Sequence, residues 1–240
     1  MNRSIISSMS KQSMQFLYGD RELLIQVADL FTAPVDVIVN PANAGLSHGG
    51  GVAALMVERG GKIIQQQSDQ FIEEHGQLES GLVAYTSAGS LPYDAVLHAV
   101  GPRMGEGDEQ EKLKKAVANC LRLCHMHDWH AIAFPAISAG IFAVPIEIVA
   151  QAFFRGITSF WDARADGAPE KIIICLTEEH FDAFVHAFRE DSMLPESPEL
   201  AVQEGTEVVD EEKPIEVGVV DLNEEDISGL EDDEVNDWFK

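Results

Sequence analysis

The stretch "VNPANAGLSHGGGVAAL", residues 39–55, decides how this chain is read. It begins at the end of "VDVIV", residues 35–39, a short β-branched run of the kind found in a strand covered on both faces. It ends in a helical pattern over residues 50–60. Glycine is poor material for either element. Three glycines where strand gives way to helix therefore leave bare backbone at a helix start. The first N–H groups of a helix have no internal partner, and that end of the dipole is positive. With no side chains in the way, an anion can reach those donors.

The same logic recurs downstream. "AIAFPAI", residues 131–137, reads as a buried strand, "SAGIFAVP" as its loop, and residues 146–161 as the next helix. Two such units in one sheet could hold two linked phosphates, because ligands of open α/β sheets sit outside the carboxyl ends of strands. Neither loop has the G-x-x-x-x-G-K-[ST] pattern or G-x-G-x-x-G, which argues against an NTPase or a Rossmann dehydrogenase.

Further elements extend outward from these units. "MQFLYGDRELLIQVADL" predicts two strands around a Gly19-Asp20 turn. A polar helix is expected over 62–75, strands in "GLVAYTSAG" and "AVLHAVG", and an amphipathic helix over 109–127. "KIIICL", 171–176, is a last strand and residues 178–188 a last helix. Alternating strands and helices predict a three-layer α/β/α sandwich with a mixed, mostly parallel central sheet. Residues 1–13 read as a flexible leader, 14–190 as the folded domain, and 191–240 as an acidic, disordered tail.

Charge divides at the same boundary. The formal net charge is −25, and residues 190–240 hold 19 acidic and 2 basic residues, so the extreme acidity belongs to the tail. No basic patch stands out to neutralise phosphates, which disfavours duplex nucleic acid as a partner. The carboxylates and the terminal Trp238-Phe239 pair suggest either a solubilising tail or docking on a basic protein. Three cysteines, an amino terminus without an apolar signal region and the lack of any apolar run of about 20 residues lead to the expectation of a cytoplasmic protein with no membrane partner. "CLRLCHMHDWH" invites a zinc reading, but Cys120 and Cys124 share a helix face that His125 and His127 do not, so no metal is expected. His98, in a strand, reads as a hydrogen-bonded structural residue.

Taken together, "VDVIVNPANAGLSHGGGVAAL", "VLHAVGP" and "AFPAISAGIFAVP" resemble a macrodomain, the ADP-ribose-binding module, over roughly Leu17 to Arg189. The resemblance implies binding of ADP-ribose or of ADP-ribosylated proteins or metabolites, with no cofactor. It also implies possible metal-independent hydrolysis of the bond at the distal ribose. A non-catalytic reader and a protein acting through its tail are the alternatives.

By the same resemblance, Asp29 accepts a hydrogen bond from the adenine amino group, with Leu30 beside it. Gly49, Gly50, Gly51 and Val52 form the first phosphate loop; Ser138, Ala139, Gly140, Ile141 and Phe142 form the second. Asn43 contacts the distal ribose and, with His48, is the catalytic candidate. Asn40 is either a ligand contact or a brace for the loop through local backbone bonds. Leu176 stands where an aromatic often stacks on adenine, and offers an apolar floor. Ala53 stands where one hydrolytic branch has a water-orienting aspartate, and Pro41 replaces a frequent alanine.

Overall fold

The computed structural model describes residues 7–10, 13–163, 167, 169–190 and 219–220. Among these residues, nine strands form one sheet: β1 (Ser7–Ser10), β2 (Ser13–Tyr18), β3 (Arg21–Val27), β4 (Val37–Ala42), β5 (Val83–Ser87), β6 (Ala95–Val100), β7 (Ala131–Phe134), β8 (Lys171–Leu176) and β9 (Val219–Val220). Five helices accompany them: α1 (Gly51–Gly60), α2 (Ile63–His75), α3 (Glu109–Met126), α4 (Ile146–Ala163) and α5 (Glu178–Glu190). The strand order is β1-β2-β3-β8-β7-β4-β6-β5-β9. The central pairs β3·β8, β8·β7, β7·β4 and β4·β6 are parallel, and the flanking pairs are antiparallel.

The central strands are apolar on both faces because helices cover both. Val37, Val39, Leu97, Ile172 and Ile174 pack with α3, α4 and α5. Their neighbours Ile38, Val96 and Ile173 point the other way, against Met56 of α1 and Ile64 of α2. This period-2 alternation makes the three-layer sandwich.

Strand pairing extends past the expected elements at three places. Ser7–Ser10, within the stretch read as a leader, forms β1 on the edge of β2. The stretch lacks the apolar alternation that marks a half-buried strand, so its pairing leaves no trace in the sequence. The tail lies outside the described residues apart from Val219–Val220, which pair with β5. Finally, β4 runs on through Asn40 and Pro41 to Ala42. Proline can sit there because β4 pairs with β7 only at Val37 and Ile38, so beyond that point one flank carries no ladder.

That separation of β4 from β7 positions the site. From β4 the chain continues through α1 to the β6 side of the sheet; from β7 it continues through α4 to β8 on the other. The two connections leave on opposite faces, opening a crevice at the switch point of the strand order.

Candidate binding site

Both glycine loops open into this crevice and face each other. A Cβ built on Gly50 would lie 3.6 Å from Ile141 Cδ1. Gly50 caps α1 without any side-chain bond, and Gly51 has φ +58°, a conformation that favours glycine. Among the described residues, the amides of Gly50, Gly51 and Val52 on one side, and of Gly140, Ile141 and Phe142 on the other, find no protein acceptor. The second loop is held by Ala143 N donating to Gly140 O at 2.9 Å and Val144 N donating to Ser138 O at 3.1 Å. Ser138 takes φ +66° and is 4% exposed, with a buried hydroxyl that has no partner among the described residues. Its hydroxyl requires Gly101 next to it: a Cβ there would meet Oγ at 2.1 Å. Ile141 is 77% exposed at the mouth.

Asn43 is occupied differently from the sequence expectation. Its Oδ1 accepts from Gly45 N (3.1 Å) and Ser47 N (3.2 Å), and its Nδ2 donates to Ser47 O at 2.6 Å. The carboxamide therefore closes the 43–47 turn, leaving one amide hydrogen for a ligand.

His48 and Asn40 are joined in one buried network. Asn40 is 0% exposed and His48 is 6% exposed, and both side chains are engaged by neighbouring protein groups. Asn40 braces the loop through side chains rather than local backbone. Its Nδ2 bridges His48 Nδ1 at 3.2 Å and His98 Nδ1 at 3.0 Å, and the two rings stack at 4.8 Å. The hydroxyls at either end set the direction of the chain. Ser68 Oγ donates to Ile64 O and so accepts from His48 Nε2; Thr86 Oγ1 donates to Ser87 O and so accepts from His98 Nε2. Both imidazoles are then neutral, with Nδ1 as acceptor. Burial pushes the His48 imidazole down to about 4, against a smaller upward pull from Asp69, and pushes His98 well below its usual range.

Because the unfolded histidine binds a proton first, His48 stabilises the fold fully above its unfolded value of 6.5 and loses that contribution as pH falls toward about 4. The expected loss is about 3 kcal/mol from this residue, with His98 adding in the same direction. Asp29, Glu106 and Glu109, whose carboxyls are held below their usual values, lose their contributions as pH falls past those usual values, 3.8 for Asp29 and 4.5 for the glutamates, at the low end of that window. Urea unfolding between pH 7.5 and 4.5 checks this; a flat profile would contradict it.

At the other end of α1 from the first loop, Asp29 caps the 3₁₀ turn Leu30–Thr32, accepting from Phe31 N at 3.1 Å, and pairs with Arg59 Nη1 at 3.0 Å. Both bonds hold its carboxyl below the usual range and keep it an acceptor. Leu30 is buried beneath it. Leu176, expected as an apolar floor, belongs instead to the core under α4 and α5, because strand alternation turns it away from the Leu30 face. Residues not singled out from the sequence also gather here. The Arg59 guanidinium lies 4.3 Å from the Phe31 ring centroid, and Arg103 lies 4.3 Å over Phe142. Neither arginine belongs to a motif; only folding brings each to its ring. Ala53 is buried in the first turn of α1.

Among the described residues no three His, Cys, Asp or Glu side chains gather as metal ligands. Cys120 and Cys124 are buried in the core, and burial raises both thiols. No helix among the described residues is long and apolar enough to cross a membrane.

A model of the Macro domain family matches residues 39–153, which contain both loops. A Pyrobaculum aerophilum protein is 39% identical over 177 residues, covering 73% of this chain and 96% of that one. The chain belongs to the macro domain family. A Klebsiella pneumoniae protein named O-acetyl-ADP-ribose deacetylase is 36% identical over 155 residues, 64% of this chain and 88% of its own length. A 40% identical Thermotoga maritima protein is much longer, and the match spans 29% of it. Among solved structures, the Oceanobacillus iheyensis macrodomain with ADP superimposes with a TM-score of 0.69 at 28% identity, covering 73% of this chain and 94% of that one.

Proposed function

We propose that this macrodomain binds ADP-ribose, free or attached to a protein or metabolite. The observation that carries the reading is the pair of facing loops whose amides have no protein acceptor among the described residues. In this reading the two sets of amides clasp the diphosphate. Asp29 accepts from the adenine amino group, and Phe142 with the remaining Asn43 amide hydrogen orients the distal ribose. The Oceanobacillus neighbour was solved with ADP, a diphosphate, which supports the reading. Calorimetry with ADP-ribose, against ATP and NAD, tests it. Saturable heat with ADP-ribose that neither control reproduces is expected; no heat would end the reading.

Hydrolysis at the distal ribose is a second reading, favoured by the deacetylase name of the Klebsiella relative. With His48 sealed in the core and Ala53 in place of an acid, turnover would rest on positioning and on stabilising the departing charge. In Asn43→Ala the 43–47 turn loses its three side-chain bonds, so release of ADP-ribose from a modified protein is expected to fall at least tenfold, by the usual cost of misplaced reactants. Binding without release in the unmutated protein would leave a reader.

A further inference from the structure

The outer flank of β5 is an edge on which another strand is seated. Val219 and Val220 pair antiparallel with Ala84 and Val83. A two-residue ladder is weak alone, so something more must favour it. Next to it, α3 carries Lys115 and Arg122, while Lys112 and Lys114 of the same helix pair with Glu106 and Glu111. Asn119 Nδ2 of α3 donates to Gly81 O at 2.9 Å, and Arg122 Nη1 donates to Asn119 Oδ1 at 2.8 Å. A Cβ on Gly81 would lie 3.2 Å from Lys115 Cδ, so Lys115 and Arg122 stand beside the start of β5. The antiparallel register sets Val220 against Val83, the residue nearer that end, and the sequence that follows Val220 reads "DLNEED", with four carboxylates.

We infer that the β5 edge is a strand-docking site for a β-branched segment with an acidic flank, filled in this chain by its own Val219–Val220. Backbone pairing supplies the contact, as in strand addition generally, and Lys115 with Arg122 selects the acidic flank. Tethering raises the local concentration of the segment far above that of any free peptide. Occupation covers an otherwise open row of N–H and C=O groups, which would invite pairing between copies. The inference is independent of the ligand assigned to the crevice.

Amide hydrogen exchange on the full chain tests it. Val219→Pro/Val220→Pro removes both donors. Exchange across Leu82–Thr86 is expected to quicken at least tenfold while β2 and β3 stay unchanged. A peptide of residues 214–226, added to this variant, restores protection, and Lys115→Glu/Arg122→Glu weakens it. Unchanged exchange in the proline variant overturns the proposal. So does a rise spread evenly over the sheet, which would report lost global stability. Protection in the unmutated chain that fades on dilution would make the occupant a second copy and overturn the assignment to the chain's own segment.

Discussion

Asn40→Leu loses about 3 kcal/mol of unfolding free energy at pH 7.5, on the scale of leaving buried groups unpaired. Leucine keeps the volume and removes the one donor pair that both imidazoles share. His48 Nδ1 and His98 Nδ1 are then buried acceptors with nothing to accept. Each such loss costs about 1–3 kcal/mol; removal of the unpartnered Asn40 Oδ1 offsets part of it. The effect reaches the crevice because His48 also fixes its own loop. Its backbone N–H donates to Gln65 Oε1 at 3.0 Å and its ring reaches Ser68 on α2. The variant should therefore bind ADP-ribose more weakly even where it remains folded. Chemical denaturation supplies the first number and calorimetry below the transition the second. A change under about 1 kcal/mol would show the network to be dispensable, since surface substitutions commonly fall below that size.

Ile141→Glu should weaken ADP-ribose binding about a hundredfold, equivalent to about 3 kcal/mol. Ile141 is exposed and faces Gly50 across the crevice, so the exchange leaves the core untouched. It places a carboxylate beside amides proposed to meet a diphosphate. Like charges about 4 Å apart near a protein surface repel by roughly 4 kcal/mol before salt screens them. Ile141→Gln, of nearly the same shape, should cost under tenfold, and added salt should recover part of the loss in the glutamate variant. Equal effects of glutamate and glutamine would show that no anion sits between the loops.

The sequence exposes its layers unevenly. Glycines are visible wherever they stand, and their placement between a β-branched run and a helical pattern located both loops before any contact was known. Regular elements followed because apolar periodicity is a local property. His48 and Asn40 show the limit. Written beside three glycines His48 looks like a ligand-facing group, and Asn40 reads as either a ligand contact or a brace. Only the packing of α2 on β5 and of β4 on β6 turns them inward, to Ser68 and His98. The pairs Arg59–Phe31 and Arg103–Phe142 were hidden for the same reason: each arginine lies far from its ring in the chain and belongs to no motif.

The sequence by itself determined the α/β class, the two bare-backbone loops and the concentration of acid in the tail. These rest on side-chain period, on glycine's missing Cβ and on composition, all readable one residue at a time. Tertiary structure alone decided which polar groups are buried, which amides remain without a partner and what lies along the edge of β5. Those depend on strand order and on which helix covers which face, and they exist only once distant segments pack together.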